Sequence, residues 1–548
     1  MHPLEITLCQ RIAAGLRRRS IKLCSRWAEE YRVMGVPFPG QWTFDHHPWV
    51  KDMHDCGSEL IVGQKAAQMA FTELALNKCF YAIDISGQSV LYVLPASTPD
   101  AKDFSTSRFD PALENCKHLR QLFTDVKNIH HKRAGFANLF IRGSRSRSQM
   151  KSVPAGLIIL DEVDEMVQNN ISLVFERVSG QTEYQIIMIS TPTIDNYGIN
   201  YYFKQSSQDH YFFKCPHCSR FTELIFPACL VITANDINDI NIVNSHLICK
   251  ECKHVLNHEA KIDFLSINNA KWVTGYTNRL SRGFHINQLY SMTVKPYVLA
   301  QAFFRAQHDA HDEQEFYNSK LGLTHTVEGA KISDENITAC IGEYKMPSNN
   351  TSGMVTMGVD VGKVLHYEIA SWSINARGSD LNAAARSRVL KVGTVNDFED
   401  LDNLVRQYRV LYTIVDANPE RRKAFEFASR FWGYARICFY GRGIIGKTIH
   451  LHDDAELSLT VDRTSWLDCS LGRFKARTVQ LPQDTPLAYK EQIKAPVRVY
   501  TKDPDGNPTG HYVTGHEDDH YAHAHTYAEI ALTQAVELSQ NQNISIGV

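Results

Sequence analysis

Four apolar residues followed by two acids, Leu157-Ile-Ile-Leu-Asp-Glu162, constrain this chain more than any other feature. A strand that is apolar at every position is buried on both faces, and such strands belong to parallel sheets covered by helices. Ser89-Val-Leu-Tyr-Val-Leu-Pro95 reads as a second buried strand, ended by proline, and Gln185-Ile-Ile-Met-Ile-Ser190 as a third. Helical stretches separate them. From about Ser89 the expected class is therefore α/β, with a mostly parallel sheet.

At 548 residues the chain has room for three or four units. With 43% hydrophobic and 22% charged residues, it can bury a sizeable core. No run of eighteen uncharged apolar residues occurs, which argues against a membrane span. Arg17, Arg18 and Arg19 precede no apolar core with a cleavage site, so the N-terminus is not a secretory signal. It reads as an amphipathic helix with Leu8, Ile12, Leu16 and Cys24 among its apolar positions. The net charge of −2 excludes a uniformly basic nucleic-acid binder. Local basic clusters do occur, at Arg17 to Arg19, His130 to Arg133, Arg142 to Lys151 and Arg421 to Lys423. Phosphate contacts need only such local charge.

Asp161 and Glu162 fit a nucleotide-hydrolysing strand end. One carboxylate stands near the magnesium of ATP and the next polarises the attacking water, so Asp161 is assigned to magnesium and Glu162 to catalysis. The alternative is a surface strand end, since four of the five residues 161–165 are acidic. A phosphate loop should lie upstream, but no GxxxxGK[ST] exists. The nearest segment runs from Gly63 to Glu73. Within it Lys65, Ala66, Ala67, Gln68, Met69, Ala70, Phe71 and Thr72 are the expected ATP contacts, Thr72 also reaching the magnesium. An ordinary helix start would read the same way. Ser190 and Thr191, at the end of the third strand, are placed to sense the γ-phosphate; Ser-Thr-Pro is also a common turn.

Thirteen cysteines, four of them in two CxxC pairs, favour a reducing compartment and a metal site over a disulfide framework. Cys215, Cys218, Cys249 and Cys252 make a tetrahedral zinc set. Four thiolates leave no open position, so the zinc is expected to be structural. His217 and His254 lie in or beside the knuckles and could compete.

A second α/β pattern starts after the polar break Met346 to Gly353. Met357-Gly-Val-Asp-Val-Gly362 places Asp360 on an apolar strand just after that break, and Tyr412-Thr-Ile-Val-Asp416 places Asp416 at the end of another. Asp518 and Asp519 precede a helical run, Tyr521 to Leu532. Acids from two strands and a helix can gather two magnesium or manganese ions for phosphodiester hydrolysis. Successive helical side chains face different ways, so one of Asp518 and Asp519 is the expected main ligand. His516, His520, His523 and His525 are either nearby supports or exposed polar-face histidines.

This order of ATPase strands, zinc insertion, linker and RNase H-like acids resembles the large subunit of tailed-phage terminases, the lambda-like family. The resemblance runs from about Gln41 to Leu532. Lys65-Ala-Ala-Gln-Met-Ala-Phe-Thr72 looks like that family's deviant phosphate loop with an early lysine, although Ala70 stands at the usual glycine. Phe104 to Arg108, Gly143 to Ser146, Leu157 to Asp164, Ser190 to Thr193, Phe316 to Gly322 and Gly358 to Val361 add to it. The resemblance implies a packaging motor that cuts concatemeric double-stranded viral DNA, docks on the portal protein of a procapsid and pumps DNA inward with ATP. It implies a small terminase subunit as partner, a homo-oligomer when packaging, no membrane association, and location in the host cell cytoplasm and transiently on the procapsid. Arg108 or Arg142 would be the trans-acting arginine finger.

The expected architecture is α/β multidomain: a P-loop (ASCE-type) ATPase with a zinc-ribbon insertion, followed by an RNase H-like nuclease domain. Its limits are an N-terminal helical segment 1–40, an ATPase core 41–205, the zinc ribbon 206–262, the rest of the ATPase region and linker 263–345, and the nuclease 346–548. A zinc-ribbon helicase or repair ATPase, or a non-enzymatic DNA-binding scaffold, are the competing readings.

Overall fold

A computed structural model describes residues 21–123, 128–148, 154–178, 180–347, 353–374, 380–441, 443–444, 446–503, 505 and 507–541. Leu8, Ile12, Leu16 and the arginines 17–19 of the expected N-terminal helix lie outside them, as does Lys151 of the basic cluster. The chain forms two compact units, Met1–His325 and Thr326–Val548. The polar break at 346–353 therefore lies inside the second unit. Ile332, Ile337 and Cys340 pack with Val389, Leu467 and Phe474 of that unit, which is why the segment after residue 325 goes with it.

The first unit is built on one ten-stranded sheet. Its strands are β1 (Leu60–Lys65), β2 (Val90–Leu94), β3 (His131–Ala134), β4 (Ala137–Gly143), β5 (Leu157–Asp161), β6 (Gln185–Ser190), β7 (Asp209–Lys214), β8 (Phe221–Thr222), β9 (Ala270–Val273) and β10 (Arg282–Ile286). The order is β8-β7-β10-β1-β6-β5-β2-β4-β3, with β9 also on β7. The run from β10 to β4 is parallel, as an all-apolar strand pattern requires. Alternate residues feed two cores. Leu157 and Ile159 join Ile61, Tyr92 and Ile187 on one face; Ile158 and Leu160 join Val62, Val93 and Met188 on the other. The strand β6 lies between the Lys65 strand and the Asp161 strand. That brings Ser190 and Thr191 to the same edge as both.

The four-cysteine insertion leaves the end of β7 directly at Cys215 and folds a small three-stranded sheet, Leu230–Val231, His246–Ile248 and Val255–Leu256. The chain returns through β9.

The second unit contains β11 (Met354–Val361), β12 (Leu365–Ile374), β13 (Ala385–Val395), β14 (Tyr412–Asp416), β15 (Ala435–Tyr440), β16 (Ile449–Leu451), β17 (Ser458–Val461) and β18 (Val479–Gln480). The order is β16-β17-β15-β14-β11-β12-β13-β18. β11, β12 and β13 form an antiparallel meander. β14 and β15 then add in parallel to the other side of β11. This is the mixed RNase H-like order. The C-terminal helix His520–Asn541 lies across β11 so closely that a Cβ on Gly358 would stand 2.0 Å from the Ala524 carbonyl oxygen. Thr356 Oγ1 donates to the carbonyl of Ala528 at 2.9 Å and fixes the same crossing.

Candidate functional site

Lys65 is the last residue of β1, not a loop residue, and its side chain is buried. The Ala66 amide makes the last bond of the β1–β10 ladder, to the Ile286 carbonyl at 2.9 Å, and β1 ends there because the next amide, Ala67, turns away to the Ser319 carbonyl at 2.8 Å. Gln68 and Ala70 take left-handed backbone, φ 60° and 65°. A Cβ resists that conformation by roughly 1–2 kcal/mol, which explains why glycine is usual at the position of Ala70. Phe71 then opens the helix Phe71–Asp84, whose N-terminus carries no side-chain cap. Free N–H groups at a helix start favour an anion such as phosphate.

Asp161 and Glu162 meet this loop from β5. Asp161 is buried, and Tyr92 donates to its Oδ2 at 2.6 Å. Burial and the neighbouring Glu162 charge push its carboxyl up to about 6, against Lys65, Tyr92 and the Thr72 hydroxyl, which pull it down. Its Oδ1 is buried without a hydrogen-bond partner. An orphaned carboxylate oxygen facing a threonine hydroxyl fits a magnesium bound with a nucleotide. Asp161 and Thr72 are the residues to hold it. Glu162 adopts φ 61°, ψ 58°, and its amide donates to Ile189 on β6 at 2.9 Å. That left-handed turn lifts its half-exposed carboxylate out of the strand line and toward Lys65. The Lys65 ammonium donates to Glu162 Oε1 at 3.2 Å and to the Thr191 hydroxyl at 3.3 Å.

Ser190 does not face this opening. Its hydroxyl is fully buried, donates to the Thr191 carbonyl and accepts from the Asp164 amide. Asp164, which sequence reasoning left among the acid run, joins two loops. Its oxygens accept from the Thr193 amide at 2.8 Å and the Ile199 amide at 2.7 Å. Gly198, at φ +51°, makes room, since a Cβ there would stand 2.4 Å from Asp164 Oδ1. Asn318 and His325 donate to the Thr193 carbonyl, and Gln64 donates to the Gly322 carbonyl. The segment 316–322 thus straps the phosphate loop and the Thr191 loop together. Arg108 is exposed and lies 3.9 Å from Glu73, whereas Arg142 donates back to the His130 carbonyl.

The four cysteine sulfurs of the insertion lie within 4.8 Å of one another. Cys215 and Cys252 are 3.9 Å apart. Four Zn–S bonds of about 2.3 Å in a tetrahedron place sulfurs about 3.8 Å apart, so the set fits zinc. Both knuckles turn alike, with left-handed Ser219 and Lys253 following the second cysteine of each. His217 and His254 stack on each other at 3.8 Å and are not part of the sulfur cluster.

In the second unit the strand pairing of β11 and β14 sets Asp360 beside Asp416. Burial, and then the charge of Asp360, pushes the Asp416 carboxyl up to about 7. An acid held partly neutral by burial, and further by its neighbour's charge, is a group that a divalent cation would relieve. Asp518 and Asp519 both precede the helix, which starts at His520, so the helical-spacing argument does not apply to them. They differ in surroundings. Asp518 is exposed, 4.0 Å from His520. Asp519 accepts from the Thr514 hydroxyl at 2.7 Å and lies 3.4 Å from His523 and 3.7 Å from Arg463. Burial would raise its carboxyl, but these partners outweigh burial and hold it well below the usual range. His520 donates to Asp360 at 2.7 Å. His525 is buried, with its two ring nitrogens on Glu368 and the Ser470 carbonyl and not on Asp360, Asp416, Asp518 or Asp519. His366, directly opposite Asp360 across the β11–β12 pair, was not visible from spacing.

One unit thus brings Lys65, Asp161, Glu162 and Thr191 to one strand edge, and the other sets Asp360 beside Asp416, with His366 and His520 closest to Asp360. Two tandem family matches bear on this arrangement. The ATPase domain of the phage terminase large subunit gpA matches residues 37–272, and the endonuclease domain of the same subunit matches residues 281–379. Together they take in more than half of the chain. The chain belongs to the terminase large subunit gpA family. It carries that family's ATPase and endonuclease domains, consistent with phage DNA packaging and cutting. The crystal structure of the HK97 bacteriophage large terminase shares the fold, with TM-score 0.50 and 12% identity over 93% of this chain and 99% of that one. The Thermus phage P74-26 large terminase ATPase domain has TM-score 0.33 at 12% identity, over 51% of this chain and 93% of that one. The large terminase nuclease of the thermophilic phage G20c has TM-score 0.23 at 13% identity, over 36% of this chain and 97% of that one. No curated protein sequence matches the chain. No helix among the described residues is long and apolar enough to cross a membrane.

Proposed function

We propose that this terminase subunit drives double-stranded viral DNA into a procapsid with ATP and cuts the concatemer with divalent metal. The reading rests most on Lys65 and Glu162, which converge from β1 and β5 on the buried Asp161. Bound ATP and magnesium supply the scissile bond and its neutralising charge. Lys65 carries point charge to the β/γ-phosphates. Glu162, turned out of its strand, takes the proton of the attacking water. Thr191 senses the γ-phosphate, while the buried Ser190 holds the loop that presents it. Arg108, still exposed, is better placed than Arg142 to act on a neighbouring subunit.

In the second unit, Asp360, Asp416 and one of Asp518 and Asp519 would hold magnesium or manganese, which stabilises the attacking and leaving oxygens. The insertion holds one structural zinc on Cys215, Cys218, Cys249 and Cys252. The proposed domain limits are an N-terminal helical segment 1–40, ATPase core 41–205, zinc ribbon 206–262, the rest of the ATPase region and linker 263–345 and nuclease 346–548; the packing of Ile332, Ile337 and Cys340 supports counting the linker with the nuclease unit. The early lysine and Thr72 favour the lambda-like branch. DNA, a small terminase subunit, a portal protein and further copies of this chain are the expected partners, in the host cytoplasm and on the procapsid. A paired assay tests the whole: DNA-stimulated ATP turnover and plasmid cutting, each with and without magnesium or manganese. Loss of neither activity on metal removal would overturn it.

A further inference from the structure

The histidine beside the nuclease acids has no task in the reading above. Asp360 and His366 are directly opposed on antiparallel strands, so their side chains project from the same face. His520 closes over them from the helix start. Its ring stacks on His366 at 4.5 Å and 15°, and its Nδ1 donates to Asp360 Oδ2 at 2.7 Å. Gly362 lets it approach, since a Cβ there would lie 3.3 Å from the His520 ring. One donor atom from each of Asp360, His366 and His520 lies within 4.8 Å of the others. His366 is buried, and its Nδ1 has no hydrogen-bond partner. Such a group left unmatched is a standing cost to the fold that a bound cation would remove.

We propose that Asp360, His366 and His520 form a nitrogen-bearing cation site in the nuclease crevice, selective for a first-row transition ion over magnesium or calcium. Oxygen-only ligands suit magnesium and calcium, whereas imidazole selects transition ions. The proposal deepens the nuclease reading and rests on it for function, but not for binding. Only Asp360 is shared with the three-acid set. His520, which already orients Asp360, would exchange that hydrogen bond for the ion.

Manganese added to the full chain, its insertion metal left in place and loosely held cations removed by dialysis, tests it by electron paramagnetic resonance with pulsed detection of nitrogen coupling. Thiolates of the insertion are poor manganese ligands, and because Asp309, His311 and Asp312 form another histidine-bearing cluster, loss of the nitrogen signal in His366→Gln is what assigns it to this crevice. The expected result is imidazole nitrogen coupling in the wild type and manganese binding weakened about tenfold or more in His366→Gln. A wild-type spectrum without nitrogen coupling overturns the proposal, and this arm needs no folded variant. Unchanged affinity in a folded His366→Gln overturns it as well. Nitrogen coupling in a protein that cuts no DNA with any cation would support the site and sink the nuclease reading instead.

Discussion

The Lys65 ammonium lies 3.2 Å from Glu162, although the two residues come from different strands with β6 between them. The pair ties the charge proposed to meet phosphate to the carboxylate proposed to activate water. Glu162→Gln should therefore lower DNA-stimulated ATP turnover by about 100-fold or more, the scale of a lost general base. Plasmid cutting should survive in the same preparation. Normal phosphate release by the variant would remove the assignment.

Asp360→Asn and Asp416→Asn should each abolish metal-dependent cutting while leaving ATP turnover intact. The loss should exceed the roughly 10–100-fold typical of an outer-shell partner. Between the adjacent acids, Asp518→Ala should be the milder change, because Asp519 alone is held by Thr514, His523 and Arg463. Equal cutting by Asp519→Ala and the wild type would contradict this.

Asp164 sets a pH dependence. Burial pushes its carboxyl up to about 7, above an unfolded value near about 4. A raised carboxyl stabilises the fold fully below its unfolded pKa, and that stability is lost as pH rises through about 7. Asp164→Asn cannot ionise, so its stability should lack this fall. It also has only one acceptor oxygen for two amides, which costs about 1–3 kcal/mol at every pH. Calorimetry of the transition that nucleotide shifts, at about pH 5 and about pH 8, on either side of that titration, reads both effects. Parallel slopes for variant and wild type would count against the burial argument.

Purified protein should contain about one zinc per chain, and Cys249→Ser should lose it. Strong chelation should unfold the insertion, because a four-thiolate site couples metal to local folding. A metal content near zero in a folded, active preparation would exclude the zinc assignment.

Gly358→Ala should uncouple cutting from ATP turnover without touching an acid. Its Cβ would collide with the Ala524 carbonyl and the Ala528 amide. Overpacking of this kind costs about 1–3 kcal/mol, and here it would push the helix that carries His520 off β11. Wild-type cutting by this variant would mean that the crossing is looser than the structure has it.

Much of this was legible in the sequence because it is local. All-apolar runs announced β2, β5, β6, β11 and β14, and paired CxxC motifs announced the sulfur cluster. Other features depend on pairing that spacing does not carry. His366 faces Asp360 only through the antiparallel register of β11 and β12. Ser190 points inward because Asp164 claims it, and Asp164 is indistinguishable from its acidic neighbours in one dimension. The left-handed turn at Glu162 is equally silent, since glutamate has no preference for it. Asp518 and Asp519 looked helical because the periodic run after them is, yet the helix starts only at His520.

The strap at residues 316–322 bears on how this protein can be dissected. Ser319 accepts from Ala67, and Gly322 accepts from Gln64 across 258 residues of chain. A truncated piece that stops at the four-cysteine insertion would keep Lys65, Thr72, Asp161, Glu162 and Thr191 and still lack the clamp on their loops. A working ATPase fragment must therefore extend to His325, and a mutational screen confined to the motif residues would overlook the clamp.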